Sequence, residues 1–173
     1  MKTLKYVLCL AAGIRCLGYQ VVHAALREGR MPNVAKYQLP AGISVLKRAP
    51  VEQPTVHSPI FADMTIAVVS EQNHFVNTWS QVIIAAGGRI VSKLPQRQNA
   101  QKSGAAGRES SGGYDGPIRF MVTQADCSSL SLRSARSLRV SPVSSEWVVQ
   151  SIIHAKVLDC DVHPSFAHDY KKE

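Results

Sequence analysis

Thr3 and Lys5 have the residue types and spacing to hold an anion. They stand at the start of a segment whose apolar residues, Leu4, Tyr6, Val7, Leu8, Leu10 and Ala11, predict a helix from Thr3 to Ala12, with Gly13 as its stop. The first turn of a helix leaves N–H groups without intrahelical partners and carries the positive end of the dipole, so it attracts negative charge. A phosphate carries about −1.5 to −2 charges near neutrality, and a lysine in that turn would add a charge-assisted hydrogen bond to it. His163, His168 and Asp169 have the types for metal binding or acid–base work, but they lie in a tail after the last predicted helix with no nucleophile pattern beside them. No catalytic or metal role is expected of them. Cys9, Cys16, Cys127 and Cys160 form no CxxC pair, and the histidine spacing gives no zinc signature. The chain has no phosphate-binding loop of the Walker kind, no nucleophile elbow and no dinucleotide glycines. We therefore expect no enzyme and no cofactor.

The elements that would position such residues follow from periodicity. Val21, Val22, Ala25 and Leu26 repeat at helical spacing up to Gly29, after a short strand at Cys16 and Leu17. Prolines 32, 40, 50, 54 and 59 then prevent long regular structure and mark a linker. Met64 to Val69 reads as a strand buried on both faces, because Ile66, Ala67, Val68 and Val69 are continuously apolar. A helix from about His74 to Ala86 places Phe75, Trp79, Val82, Ile83 and Ala86 on one face, closes at Gly87 and Gly88, and leads into a strand at Arg89 to Val91. Residues 94–117 are rich in Gln, Ser, Gly and Arg and read as a flexible loop. Beyond them lie a strand at Ile118 to Val122, a weaker helix through Leu130, Leu132, Ala135 and Leu138, and a short strand at Val140 to Val143. A last helix follows, capped by Ser144 and carrying Trp147. Strands alternating with helices imply a parallel sheet covered on both faces.

The chain has 173 residues and a formal net charge of +8. That length suits one ordinary domain plus a remainder, or two small ones. The basic excess is uneven: Lys2, Lys5, Arg15, Arg27, Arg30, Lys36, Lys47 and Arg48 face only Glu28 and Glu52 in residues 1–60. It suits an anionic partner or a solvated basic face. The charged start followed by the apolar run from Tyr6 to Ile14 imitates a secretory signal, but Arg15 interrupts it and no small-residue cleavage site follows. Free cysteines without a disulfide framework favour a reducing compartment.

Lys5 through Ala11, Leu39-Pro40-Ala41-Gly42, Val68-Val69-Ser70, Trp79-Ser80, Gly87-Gly88, Val143 through Val148, His163-Pro164 and His168-Asp169-Tyr170 together resemble a tandem BRCT pair. The resemblance is to pairs that end DNA double-strand-break repair scaffolds, and among them to a p53-binding one. A faint internal repeat, Leu17 to Val22 against Val143 to Val148, agrees with two copies. The first copy departs from the pattern, with Val21 at the family's tryptophan and Gly18 at its capping serine. The resemblance implies an α/β BRCT fold: a four-stranded parallel sheet flanked by three helices, preceded by a partial BRCT domain and a linker. Residues 1–42 would be the C-terminal half of a first BRCT domain, 43–60 the inter-BRCT linker, and 61–173 a complete second domain with its tail.

The resemblance also implies a site. In such pairs a phosphoserine is held by a hydroxyl and a backbone N–H from the first strand and by a lysine of the second helix. Lys5 matches that lysine, and Thr3 a neighbouring hydroxyl. Lys2 matches a position that often holds an arginine against the peptide backbone, although lysine lacks the bidentate fork. The first-strand ligands have no counterpart in these residues, so weak or no phosphopeptide binding is expected of this form. Gly87, Gly88, Trp79 and Trp147 are expected to be structural. The implied function is a non-enzymatic adaptor of a nuclear DNA-damage-response scaffold on chromatin. It would dock p53, through the first domain's last helix and the linker, along with other repair or checkpoint proteins. In the intact pair it would also bind a phosphorylated histone tail. No membrane and no direct DNA contact are expected. The alternatives are a secreted basic protein with a signal peptide and a BRCT accessory domain of a DNA-processing enzyme.

Overall fold

The computed structural model describes residues 3–55, 58–94 and 117–170. The expected loop at 94–117 lies almost wholly outside the described residues, as does Lys2. Among the described residues no helix is long and apolar enough to cross a membrane.

The centre is a parallel sheet of β3 (Thr65–Val68), β4 (Arg89–Val91), β5 (Ile118–Val122) and β6 (Ser141–Val143), in the order β4-β3-β5-β6. Every residue of β3 is buried, as its apolar run requires of a central strand covered on both faces. Pro142 is tolerated because β6 is an edge strand with β5 as its one strand partner. Alternate strand residues face opposite layers. Ile66, Val68, Val122 and Val143 pack with α3 (Asn73–Ala85) and α5 (Ser145–Ile153). Ala67 and Met121 pack with Ala135 of α4 (Ser129–Ser137) on the other face.

The turn between α3 and β4 needs both of its glycines. Gly87 adopts φ +86°, and a side chain there would meet Pro59. A Cβ on Gly88 would come within 2.7 Å of Ile83 Cγ2 and 3.0 Å of Phe61 Cβ. This close approach lets β4 run back against the helix it has just left.

Ser144 precedes α5, but its side chain does not cap the helix. Its hydroxyl donates instead to the Ser165 carbonyl at 2.6 Å, and its N–H donates to the Phe166 carbonyl at 2.8 Å. These bonds hold the segment after α5 in place. Pro164–Phe166 forms a 3₁₀ turn, Phe166 is fully buried, and Ala167 bridges to Val143. The region read as a tail is part of the core.

Two further helices, α1 (Leu4–Ala11) and α2 (Gln20–Glu28), precede the sheet. α1 packs against α3 and α5, with Val7 and Ala11 joining their core. The short strand expected at Cys16 and Leu17 is a single bridge from Leu17 to Gln38. The proline-rich stretch is more ordered than its composition suggests. It contains a 3₁₀ turn at Val34–Tyr37 and an antiparallel pair of two-residue strands, β1 (Gly42–Ile43) and β2 (Pro50–Val51). Buried glutamines fasten it. The Gln53 amide donates to the carbonyls of Cys16 (2.8 Å) and Leu39 (2.6 Å) and accepts from the Cys16 N–H (3.0 Å). Gln150 on α5 donates to the Ile43 carbonyl (3.1 Å) and accepts from the Val45 N–H (3.2 Å).

A histidine completes this fastening. His154 Nε2 lies 2.9 Å from the Ser44 hydroxyl, and Ser44 is fully buried. Burial, followed by the ammonium groups of Lys156 and Lys47, lowers the imidazole from its ordinary value of 6.5. The neutral ring is the form the fold favours, so its contribution is complete above pH 6.5 and is lost as pH falls through the depressed native value. Thermal melts from pH 7.5 down to 5 should show His154→Gln losing less stability than the parent over the acid part of that range. Parallel curves would show that this ring does not couple the linker to pH.

Candidate functional site

Three helices and β1 enclose a groove of about 720 Å³. Each contributes residues at the spacing that places side chains on one helical face. α1 supplies Leu4 and Val7, α3 supplies Phe75 and Trp79, and α5 supplies Glu146, Val149, Gln150 and Ile153. Gly42 and Ile43 close one end, where a Cβ on Gly42 would meet the Ile153 side chain. A larger residue at position 42 would require the Ile153 side chain to move aside. The walls are mostly apolar, and the Phe75 and Trp79 rings lie 6.1 Å apart. Polar groups gather at the carboxyl ends of the strands. Gln124 accepts from the Ser70 hydroxyl at 2.8 Å, Gln72 donates to Asp126 at 3.3 Å, and the Glu146 carboxylate receives the Gln150 amide at 2.9 Å. An extended peptide can lay one or two apolar side chains into such a groove while its backbone meets amides and a carboxylate at the rim.

Lys5 is exposed on α1, next to Leu4 and outside the groove lining. Thr3 is the N-cap residue of α1 and makes no side-chain capping bond. Both are exposed and flank Leu4, which lines the groove, and neither lines it itself. The far side of α1 is pinned by Tyr6, whose hydroxyl donates to the Pro40 carbonyl at 2.8 Å. Burial, with smaller effects from Cys16 and Cys9, pushes that phenol up to about 12, so it remains a neutral donor.

The four residues expected to be structural fall in two places. Gly87, Gly88 and the fully buried Trp147 lie in the interior and its turn. Trp79 is half-buried and forms a wall of the groove as well as packing on the core. His163 caps the 3₁₀ turn through Nδ1, which accepts from the Ser165 N–H at 3.2 Å, and His168 lies 4.0 Å from Asp169. Neither histidine lines the groove. Asp159, Cys160 and Asp161 bring their side-chain ligand atoms within 4.8 Å of one another, and burial raises the Cys160 thiol from its ordinary value. The groove residues Gln72, Gln124, Glu146 and Gln150 were not singled out from sequence. Glu146, Val149, Gln150 and Ile153 do form a helical face, and that spacing was the available signal.

Residues 59–171 match the family described as the BRCA1 C Terminus (BRCT) domain. Among solved structures, that of Rtt107p residues 820–1070 is 16% identical. The match covers 91% of this chain and 68% of that one, with a TM-score of 0.50. The S. pombe Rad4 BRCT3,4 structure is 11% identical, with a match covering 83% of this chain and a TM-score of 0.41. This chain spans 63% of the Rad4 structure's length.

Proposed function

The chain belongs to the BRCT family, and from that premise we propose that it is a non-enzymatic docking module. In this reading the groove between α1, α3 and α5 receives a peptide of a repair or checkpoint protein. The observation that carries the reading is the groove itself, an apolar cleft of about 720 Å³ lined by Leu4, whose exposed chain neighbours are Thr3 and Lys5. Apolar side chains supply most of the affinity. The exposed Lys5 ammonium adds no more than about 1 kcal/mol for a phosphate, because water screens it. A phosphorylated histone tail is one peptide of this kind. A second surface supports p53 as a partner. Tyr19, at the N-cap of α2, and Val22 and Leu26 on the helix are exposed apolar side chains beside Arg27. This helix is the last one of the partial first domain that residues 1–42 form in our reading. The working place is the nucleus, within the DNA-damage response on chromatin.

Fluorescence polarisation with a phosphoserine peptide that bears a phenylalanine a few residues after the phosphate tests the reading. Trp79→Ala should abolish binding, and Lys5→Ala should weaken it about fivefold or less. Removing the phosphate should have the same small effect as Lys5→Ala. If Trp79→Ala binds like the parent, the groove is not the docking site. If Lys5→Ala alone abolishes binding, the phosphate rather than the groove dominates.

A further inference from the structure

We propose that Arg15–Leu17 and the outer face of α2 form an open sheet edge that takes up a β-strand of a partner protein, a segment in which apolar and acidic residues alternate. Strand addition here deepens the reading of α2 as a partner surface and rests on that reading. Its basis is a structural repeat within the chain. Residues 4–38 retrace residues 129–167: α1 corresponds to α4, α2 to α5, and the 3₁₀ turn at Val34–Tyr37 to that at Pro164–Phe166. The bonds correspond too. Leu17 bridges antiparallel to Gln38 as Val143 does to Ala167. The Gly18 N–H donates to the Tyr37 carbonyl at 2.7 Å, as the Ser144 N–H does to the Phe166 carbonyl at 2.8 Å. Arg15–Leu17 therefore stands where β6 stands, and Val22 and Leu26 stand where Val148 and Ile152 stand. The two copies differ in what covers them. In the second, β5 pairs with β6, the Thr123 N–H donates to the Val143 carbonyl at 3.0 Å, and Val148 and Ile152 are 0% and 6% exposed. In the first, among the described residues, no strand lies on that side, and Val22 and Leu26 are 57% and 77% exposed. The backbone N–H and C=O groups of Arg15 and Leu17 make no hydrogen bond among the described residues. Those of Cys16, which point the opposite way, are taken by Gln53 and Leu39. Two donors and two acceptors thus face one side, in the arrangement a parallel strand completes.

β5 shows what fits such an edge. Its Phe120 and Val122 pack in one cluster with Val148 and Ile152, and they alternate along the strand. An incoming strand therefore needs apolar residues at every second position to cover Val22 and Leu26. Charge sets the remaining positions. Arg15 on the edge, and Arg27 and Arg30 at the end of α2, are exposed, and Glu28 is the one acid in residues 13–31. Acidic side chains are attracted to this surface, whereas a second copy of the chain would bring like charges together.

The test is an NMR titration of the full ¹⁵N-labelled chain with the blocked peptide Glu-Ile-Glu-Phe-Glu-Val-Glu. One control is N-methylated at the two inner glutamates, which take the places of Arg119 and Met121 in β5. Another carries lysine in place of every glutamate. We expect saturable shifts at Arg15, Leu17, Val22 and Leu26, with slower hydrogen exchange at the Arg15 and Leu17 amides. N-methylation should abolish binding, and the lysine peptide should bind at least about tenfold more weakly. Leu26→Glu should abolish binding at an unchanged melting temperature, because that side chain is exposed. Trp79→Ala should leave the titration unaltered, which separates this edge from the groove. A titration with p53 reads the docking role of α2 by itself. Shifts at Val22 and Leu26 there, with none at Arg15 and Leu17 from the peptide, overturn strand addition and leave that role standing. Equal binding of the N-methylated peptide likewise overturns strand addition. Two results with the free chain would do the same. One is a dimer in sedimentation equilibrium that Leu26→Glu dissociates, which makes a second copy the occupant. The other is slow exchange at Arg15 and Leu17 before any peptide is added, which means that the edge is already covered.

Discussion

Trp147→Ala should lower the unfolding free energy by about 3–5 kcal/mol in urea titrations followed by far-UV circular dichroism. The indole is fully buried between two rings, with centroids 4.5 Å from Phe120 and 5.7 Å from Phe61. It therefore joins β5 to the segment before β3 through α5. Its Nε1–H donates to the Leu158 carbonyl at 2.9 Å in a buried bond, which also fixes the chain where it leaves α5. Removing the side chain leaves a cavity that cannot collapse, because the sheet and the helix on either side of it are rigid. Small domains typically hold only 5–15 kcal/mol in total, so this one change consumes a large share of it. Trp147→Phe separates the two contributions. It keeps a ring against Phe120 but leaves the Leu158 carbonyl unpaired, at a cost of about 1–3 kcal/mol. If both variants unfold at the urea concentration of the parent, the indole is not a keystone of this core.

The sequence shows the fold clearly where burial is uniform or strictly periodic. β3 is legible because a central parallel strand must be apolar on both faces, and Ile66 to Val69 satisfies that without a break. α3 is legible because Phe75, Trp79, Val82, Ile83 and Ala86 recur with helical period. The alternation of strands and helices implies the covered parallel sheet that is observed, whereas the BRCT fold was implied by the motif resemblance and is shown by the family match over residues 59–171. The individual polar bonds are not legible. Ser144 has the residue type and position of a helix cap, yet a carbonyl 21 residues later draws its hydroxyl away. Local propensity cannot anticipate a partner delivered by tertiary packing. The prolines of the linker disguise β1 and β2 in the same way, since strands of two residues depend on what they dock against.

The candidate site was legible in its parts and not in its assembly. Lys5 and Thr3 announce an anion-friendly helix start, but the groove beside them is made from residues at 4 and 7, 75 and 79, and 146 to 153. Each of those pairs reads alone as an ordinary core stripe. Only the packing of α1 on both α3 and α5 turns three stripes into one cleft.

Gln150→Leu should have the second-largest effect. Gln150 is 2% exposed, and its amide is the hinge on which the linker hangs from α5. It serves the Ile43 carbonyl, the Val45 N–H and the Glu146 carboxylate at once. Leucine matches its bulk and returns none of these bonds, so the Val45 N–H and the Glu146 carboxylate lose partners in a partly buried setting. We expect a loss of about 2–3 kcal/mol, since each unsatisfied buried group costs about 1–3 kcal/mol and water reaches some of them. The damage should be local before it is global. Hydrogen exchange should quicken at Ser44 and Val45, whose N–H groups bond to the Ala49 carbonyl and to Gln150, while Val68 and Val122 in the sheet keep their protection. Because Gly42 and Ile43 close one end of the groove, peptide affinity should fall together with linker protection. A Gln150→Leu chain with parental exchange at Val45 would mean that the linker is held by its apolar contacts alone, and the groove would then owe its closed end to Gly42 packing on Ile153 rather than to this amide.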